Sequence, residues 1–363
     1  MAEVLISPGV LARENDQSQI TAGPIQAGAA IIGPTVKGQE DIPTLVTSYS
    51  EYQAAFGSTF LSGSNQYTFF TSISAYNYFQ NGGSTLLVTR VTPGPFSEAS
   101  SSLINTGSLG STVPSGISPF VLSTLAEGNI MNSSGSSGSN GTLVSGSSDN
   151  FRWEITSPST SSGVFSLLLR QGNDTQTSKQ VVETYSNLSL DPLAPNYISK
   201  VIGDQVQTVS GTGTDVYLQS SGSYPNASRF IRVSAVNAQT PNYFDNAGTP
   251  KDIFTGSIPA AQSGSFGGGI GDITGSGTPS KFYQAITNTD SQGLVGSDYT
   301  TAINLLGNRD EFRYNVITAP GLVLGNATTG AGWTSIQSNC ENRGDAIFVG
   351  DLVNYNSSLT QVT

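Results

Sequence analysis

The stretch YNYFQNGGSTLLVTRV, Tyr76 to Val91, constrains the fold more than any other part of the chain. Its first residues close a segment with apolar side chains at a helical spacing, so we predict a helix from about Tyr67 to Gln80. The predicted buried stripe of this helix comprises Phe69, Ile73 and Tyr76.

The helix is followed by a stop and a strand. Asn81-Gly82-Gly83 ends the helix, because glycine adopts the left-handed backbone conformation without a side-chain clash. Thr85 to Val91 is rich in apolar and β-branched residues and does not alternate, which is typical of a strand buried on both faces. We therefore expect a sheet that helices cover.

Similar signals occur near both ends of the chain. On the N-terminal side, Ala27–Gly33 and Thr44–Ser48 read as strands, and a helix capped by Ser48 and Glu51 stops at Gly57. On the C-terminal side we predict a helix at Asp298–Gly307 and a strand at Arg313–Gly321 that ends in a Pro-Gly turn. A second helix passes through Trp333, Ile336 and Cys340 and is closed by Gly344, and a buried strand follows at Asp345–Asp351.

The middle of the chain has another character. Short strands are predicted at Phe151–Ile155, Gly163–Arg170, Asp215–Gln219 and Arg229–Val236, with one helical turn or two at Asn196–Ile202. The glycine cluster Gly264–Gly277 reads as a flexible loop, since it lacks the Lys-Ser/Thr ending of a phosphate-binding loop.

These segments predict an α/β core domain built from two separated chain segments, with a large β-rich insertion and an extended N-terminal arm. We place the arm at residues 1–25, the core segments at 26–94 and 281–363, and the outward-facing insertion at 95–280.

Charge and cysteine content exclude several classes of function. Only 11% of the 363 residues are charged and the net charge is −11, so neither nucleic acid nor an anionic membrane is an expected partner. No apolar run reaches the length of a spanning helix, and the first residues do not resemble a signal peptide. Cys340 is the only cysteine, which excludes an internal disulfide.

The chain contains no histidine, so it has no Ser-His-Asp triad and no histidine metal site. The remaining candidates are weak. The carboxylate pair Asp310-Glu311 reads as a solvated cap, and Asn288–Gly293 lacks most ligands of a calcium loop. We therefore predict no enzyme activity, no cofactor and no metal.

Four stretches resemble contractile phage tail sheath proteins and the sheaths of related injection systems. They are ISPGVLARENDQS (6–18), AAIIGPTVKG with IPTLVTSYSEYQAAFG (29–57), YNYFQNGGSTLLVTRV (76–91) and YSNLSLDPLAPNYISKVI (185–202). A weaker similarity is found in DEFRYNVITAPG (310–321).

The resemblance implies a structural subunit that polymerises in stacked helical discs around an inner tail tube and contracts to drive the tube through the host envelope. It implies contacts with neighbouring sheath subunits by strand addition, with the tail tube protein, and with baseplate and tail terminator proteins. The expected location is the virion, after assembly in the bacterial host cytoplasm, without insertion into a membrane.

The resemblance also assigns residues to two roles. The inter-subunit arm would use Ile6, Ser7, Pro8, Gly9, Val10, Glu14, Asp16 and Ser18. The core would depend structurally on Gly33, Gly57, Asn81, Gly82, Gly83, Arg90, Asp191, Pro192, Pro195 and Tyr197. Family members continue past the last predicted strand, so we expect the C-terminal part of the core to be missing from these 363 residues.

Two other classes of function stay open. A surface or secreted β-rich adhesin that binds glycans would explain the Ser/Thr/Gly-rich loops, but not the α/β segments. A carboxylate hydrolase is possible in principle, although the usual triad cannot exist without histidine.

Overall fold

The structure, a computed structural model, describes residues 25–62, 64–106, 116–135, 137–138, 141–273, 286–354, 357–358 and 360. The eight predicted arm residues between Ile6 and Ser18 lie outside these ranges, so the arm stays a prediction.

The described residues form strands and helices in a mixed α/β arrangement, which confirms the predicted class. In chain order, strands β1 to β16 are Ile25–Gly33, Thr44–Val46, Thr59–Ser62, Asn65–Thr68, Leu86–Arg90, Glu98–Ser101, Phe120–Glu127, Phe151–Ser159, Val164–Gln171, Val181–Ser189, Val206–Ser210, Tyr217–Ser221, Ile231–Val236, Gln262–Gly267, Phe312–Val323 and Ile347–Asp351. Helices α1 to α6 are Tyr49–Phe56, Phe70–Gln80, Ile198–Ile202, Asp252–Thr255, Thr300–Leu306 and Gly330–Arg343.

A five-stranded sheet has the order β16-β15-β1-β5-β2. Its strands run parallel except for β2, which is antiparallel to β5. Every residue of β5 is buried, as its sequence predicts. Side chains of α1 and α2 pack on one face of the sheet, and side chains of α5 and α6 pack on the other. The sheet is therefore covered by helices on both sides.

Helix α1 begins and ends where its sequence predicts. The Ser48 hydroxyl accepts a hydrogen bond from the Glu51 N–H at 3.2 Å. The Glu51 carboxylate reaches back to the Thr47 N–H at 2.8 Å, one residue before the one expected for a capping box. Gly57 follows the helix with a φ of 72°.

The predicted start of α2 is wrong, and of its predicted buried stripe Phe69 is buried whereas Ile73 and Tyr76 are not. The helix begins at Phe70, because residues 65–68 pair with β3 as a hairpin. Ile73 and Tyr76 are each 45% exposed, whereas small side chains of α2 face the sheet. These small buried side chains are Thr71, Ser72 and Ala75. They allow the helix to approach the sheet more closely than an aromatic stripe would.

Strand β15 does not end at the predicted Pro-Gly turn. It continues to Val323, and its pairing with β16 changes register between Thr318 and Val323. Proline has no N–H to donate, and Gly321 takes a φ of 89°, so the pair forms a bulge inside the strand.

A second sheet has seven antiparallel strands in the order β10-β9-β8-β14-β6-β7-β13. The first part of the predicted glycine loop, Gly264–Gly267, lies in β14 near the middle of this sheet, so the prediction of a flexible loop is wrong there. A side chain at Gly264 would overlap the Trp153 ring, which explains why glycine suits a central strand.

The two sheets draw on different parts of the chain. Strands of the first lie within 25–90 and 312–351, and strands of the second lie within 98–267. The proposed domain boundaries at residues 94 and 280 stay a prediction.

Candidate functional site: the open edge of the five-stranded sheet

The candidate site is the outer strand β16, which was predicted to be buried. That prediction is wrong, since Ile347 is 69% exposed and Val349 is 58% exposed. Their side chains alternate with that of Phe348, which packs against Trp333 with ring centroids 5.0 Å apart. Among the described residues, β16 has β15 as its only strand neighbour. Within the described part of the chain, one edge of the sheet therefore presents unpaired backbone and apolar side chains together.

Apolar grooves lie on both sides of this edge. A groove of about 560 Å³ separates β16 from α6 and is lined by Trp333, Cys340 and Leu352, among others. A groove of about 470 Å³ lies on the opposite face beside α2, where Tyr78 and Val316 contribute to its wall. The apolar character thus continues from the edge onto both faces of the sheet.

A buried arginine fixes the start of β16. Arg343, the last residue of α6, pairs with Asp345 at 2.9 Å and 3.1 Å. Its guanidinium also donates to the carbonyl oxygen of Leu306 at 2.5 Å and stacks on the Tyr314 ring at 4.3 Å. These bonds join α5, α6 and β15 directly before the exposed strand, so the open edge is held by a rigid support.

The lone cysteine beside this edge is not arranged as a nucleophile. Burial raises the pKa of the Cys340 thiol, although Arg343 opposes that effect. A thiol with a raised pKa stays protonated at neutral pH and reacts poorly. Cys340 therefore acts as a small apolar side chain in the wall of the groove.

Two of the predicted core glycines allow close packing around the sheet. A side chain at Gly33 would overlap the Thr71 hydroxyl of α2. A side chain at Gly57 would lie 2.7 Å from Cβ of Val36, and its backbone is left-handed as well. Both positions therefore require glycine for steric reasons.

The Asn-Gly-Gly stop works through two different effects. Gly82 has a φ of 89°, as predicted, and a side chain there would meet open space. Gly83 is not in the left-handed region; instead, a side chain would overlap the Tyr78 ring. Asn81 adds a hydrogen bond from its side-chain amide to the Asn77 carbonyl at 2.7 Å.

The remaining predicted core residues, apart from Arg90, lie far along the chain in a turn after β10. The Asp191 carboxylate accepts the N–H groups of Leu193 at 2.9 Å and Asn242 at 3.1 Å. Tyr197 is buried in the core of the seven-stranded sheet. The two proline residues of this turn are Pro192 and Pro195. The structure therefore does not bring this group together with the glycines of the five-stranded sheet.

Arg90 lies where the two sheets meet, in a cluster that we call the joint, made of Gly38, Glu40, Asp41, Arg90 and Glu127. The fully buried Arg90 guanidinium donates from Nη1 to the Gly38 carbonyl at 2.6 Å and the Glu127 carbonyl at 3.1 Å. The Glu127 carboxylate accepts the Glu40 N–H at 2.8 Å. These bonds tie the end of β5 and the loop after β1 to the end of β7.

Burial dominates the electrostatics of the joint. It raises the pKa of Glu127 to about 7, although the Glu40 N–H and Arg90 oppose it. Burial, together with repulsion from Glu40, Glu127 and Asp298, also raises the pKa of Asp41 to about 7. The pKa of Arg90 falls to about 10 by burial. The joint thus holds two carboxyl groups that change charge near neutral pH.

Of the other candidate acidic groups, the carboxylate of Asp290 has structural hydrogen-bond partners. Asp290 accepts hydrogen bonds from the Thr287 hydroxyl at 2.9 Å and the Gly293 N–H at 3.1 Å, which closes a turn. Glu311 offers its backbone carbonyl to Ile25 at 2.9 Å, and partial burial raises the pKa of its carboxyl.

Across the part of the chain that the structure describes, no group of three or more potential ligand side chains could hold a metal ion. A search of the same residues finds no helix with the length and apolarity to cross a bilayer.

The sequence predicted the strand itself but not the exposure of Ile347, Val349 and the following Leu352. The available signal was the apolar run IFV, which is consistent with burial on both faces or with an edge that another chain covers. Burial depends on the neighbouring strand, and the sequence of β16 does not contain that information.

The solved structures that are similar to this chain include two sheath tail proteins. No protein-family model matches the chain, and no curated protein matches it. A sheath tail protein from Listeria innocua is similar at 11% identity and a TM-score of 0.42, over 90% of this chain and 47% of that one. A sheath tail protein from Desulfitobacterium hafniense is similar at 11% identity and a TM-score of 0.37, over 93% of this chain and 51% of that one. The chain spans about half the length of these two sheath tail proteins.

Proposed function

We propose that this chain is a structural, non-enzymatic subunit of a contractile tail sheath. In this role it polymerises in helical discs around an inner tail tube, and the assembly contracts to drive the tube through a host envelope. The observation that carries the proposal is the open edge of β16, in a chain whose four quoted stretches resemble sheath proteins in the family's order.

An exposed apolar edge strand requires an explanation. Soluble proteins protect such edges with charge, proline or a covering segment, because unpaired backbone groups pair with other chains. Ile347 and Val349 are apolar and exposed, and the single charged residue of β16 is Asp351 at its end. Strand addition from another copy would satisfy the backbone groups and bury these side chains.

In this proposal the N-terminal arm provides the strand that is added to the sheet of another copy. Residues 6–18 resemble the arm that adds a strand to a neighbouring sheath subunit, and we propose that Ile6–Val10 pairs with a sheet of another copy. The tail tube, baseplate and terminator proteins would be the other partners, in a virion tail assembled in the host cytoplasm. Low charge fits such contacts, because few ions would lose their hydration on assembly.

The test is to place a charge on the edge. Ile347→Lys changes a side chain that is already exposed, so we expect a thermal midpoint close to that of the unchanged chain but no ordered tubes in negative-stain electron microscopy. Ile253→Lys on α4 is the matched control, since Ile253 is also exposed, at 57%, and lies away from the edge. Deleting residues 1–20 should abolish tubes in the same way.

Two results would count against the proposal. The first is that the unchanged chain forms no helical tubes under any assembly condition. The second is that Ile347→Lys and the arm deletion both assemble as well as Ile253→Lys, because then neither the edge nor the arm takes part in polymerisation.

A further inference from the structure

A second surface, separate from the open edge, is a groove of about 1150 Å³ between α5, α6 and the β11–β12 hairpin. Its walls include the hairpin tip at Thr214–Tyr217, the end of α5 with residues 307–309, and the outer face of α6. The volume lies slightly above the range of small-molecule sites, about 300–1,000 Å³, so the groove has room for a ligand of several rings.

The groove is a built feature, because hydrogen bonds and packing hold its walls together. Val216 of the hairpin is buried in the core of the five-stranded sheet. The Asn304 side-chain amide donates to the Gly213 carbonyl at 2.8 Å and so joins α5 to the hairpin. The Asn339 side-chain amide donates to the Ile303 carbonyl at 2.7 Å and so joins α6 to α5.

Most groups that face the groove are neutral and able to donate and accept hydrogen bonds. Ser338 and Asn342 lie four residues apart on one face of α6, are exposed, and have no hydrogen-bond partner among the described residues. The buried Oδ1 atom of Asn339 also lacks a donor within the same part of the chain. A buried acceptor without a donor is unfavourable, so a hydroxyl group that reached the floor of the groove would stabilise it.

The aromatic ring of Tyr217 lies at the rim of the groove. Tyr217 is 50% exposed, and it offers an apolar ring face with a polar hydroxyl at its end. The exposed charged groups in the lining are Arg309 and Asp215, which have opposite sign. The groove therefore carries little net charge, and it combines amides, hydroxyls and an aromatic face.

We propose that this groove binds an oligosaccharide. Sugar hydroxyls donate and accept hydrogen bonds as carboxamides and serine hydroxyls do, and the C–H face of a sugar ring packs on an aromatic ring. A nucleic acid or a phosphorylated ligand would need several accessible cations, whereas among the described lining residues Arg309 is exposed and Arg343 is buried and paired with Asp345. An apolar ligand would leave the amide groups without partners.

The proposal goes beyond the sheath function and does not depend on it. The groove is formed by α5, α6 and one hairpin, and the residues of the open edge do not line it. A chain that failed to assemble could still bind a sugar, and a chain that assembled could fail to do so.

The experiment is saturation-transfer NMR of the whole chain with a panel of trisaccharides. The panel contains an N-acetylglucosamine trimer, maltotriose, mannotriose and a uronic-acid trimer, and titration calorimetry follows for any member that binds. Tyr217→Ala and the double variant Ser338→Ala/Asn342→Ala alter exposed groups only, so we expect both to stay folded. Each should weaken binding by about tenfold, as expected for the loss of one or two hydrogen bonds or a ring contact.

Two control variants use the same side-chain types elsewhere. Tyr76→Ala removes an exposed ring on α2, and Gln337→Ala removes an exposed amide on the other side of α6; both should bind as the unchanged chain does. No transfer to any trisaccharide would overturn the proposal. Sugar binding that is the same in the groove variants as in the unchanged chain would also overturn it. The same holds if a peptide of residues 1–24 binds in the groove without displacing the bound sugar, because the sugar would then bind elsewhere.

Discussion

Replacing Glu127 by glutamine tests whether burial controls the charge of the joint between the two sheets. Glutamine keeps an oxygen that can accept the Glu40 N–H, at 2.8 Å in the structure, but it carries no charge at any pH. The Arg90 guanidinium bonds to the backbone carbonyl of residue 127, so this hydrogen bond is preserved as well. The substitution therefore changes charge with little change in contacts.

The sign follows from the direction of the pKa change. The pKa of Glu127 is raised from 4.5 to about 7 in the folded chain, so the folded state holds the proton more tightly than the unfolded state. The free energy of unfolding then falls as the pH rises from about 4.5 to about 7, and the loss is complete above that. The difference between the two pKa values corresponds to about 3 kcal/mol, which is an upper limit because Asp41 titrates in the same range and the two groups repel each other.

We therefore expect Glu127→Gln to be more stable than the unchanged chain at pH 8, by about 1–3 kcal/mol, and similar to it at pH 4.5. Urea denaturation at several pH values between 4.5 and 8, followed by tryptophan fluorescence, measures this. Glu341→Gln is the control, because Glu341 is an exposed carboxylate on α6 away from the joint. A Glu127→Gln variant less stable than the unchanged chain at pH 8 would contradict this expectation, since the ionised carboxylate would then stabilise Arg90 by more than its burial costs.

Two further predictions concern glycines. Gly82→Ala should lower the free energy of unfolding by about 1 kcal/mol through its left-handed backbone alone, while Gly83→Ala should cost about 1–3 kcal/mol through overlap with Tyr78. Thermal unfolding in a Tyr78→Ala background distinguishes the two causes, because this background should remove the loss of stability at Gly83 and leave the loss at Gly82. If Gly83→Ala costs the same with and without Tyr78, the overlap is not the cause. Gly264→Ala should push into Trp153 in the second sheet, cost about 1–3 kcal/mol and shift the tryptophan emission, and an unchanged spectrum and midpoint would show that the strand can move aside.

The features that sequence predicted correctly are those decided by residues close together in the chain. Ser48 and Glu51 cap α1 within one turn. Gly344 ends α6 in the left-handed conformation that its position after a helix requires. The burial of β5 follows from five consecutive residues without alternation. Each signal acts over about one helical turn or one strand, so tertiary neighbours did not need to be known.

The features that sequence missed depend on contacts between distant residues. Gly264 tolerates a central strand position because Trp153 fills the space beside it. Ile73 and Tyr76 form a helical stripe but face outward, because the close packing of Gly33 against Thr71 places the small side chains of α2 on the sheet. Apolar spacing alone could not distinguish these two faces.

The joint could not be found from sequence for the same reason. Glu40 and Glu127 are 87 residues apart, and nothing in either local segment indicates that they meet. Arg90 was singled out only through the family resemblance, which gave no physical role for it. In the structure its fully buried guanidinium joins carbonyl groups of two chain segments.

The distribution of charge explains how a chain with so few ions arranges its contacts. Several of its charged groups are inside: Arg170 and Asp174 form a fully buried pair at 2.7 Å and 2.8 Å within the second sheet, and Arg90 is buried in the joint. Breaking such a pair is costly, so these ions fix internal geometry rather than external partners. Two of the described surfaces are an apolar strand edge and a groove lined largely by amides and hydroxyls. Contacts made there depend on backbone pairing, apolar burial and neutral hydrogen bonds, which salt screens far less than it screens surface ion pairs.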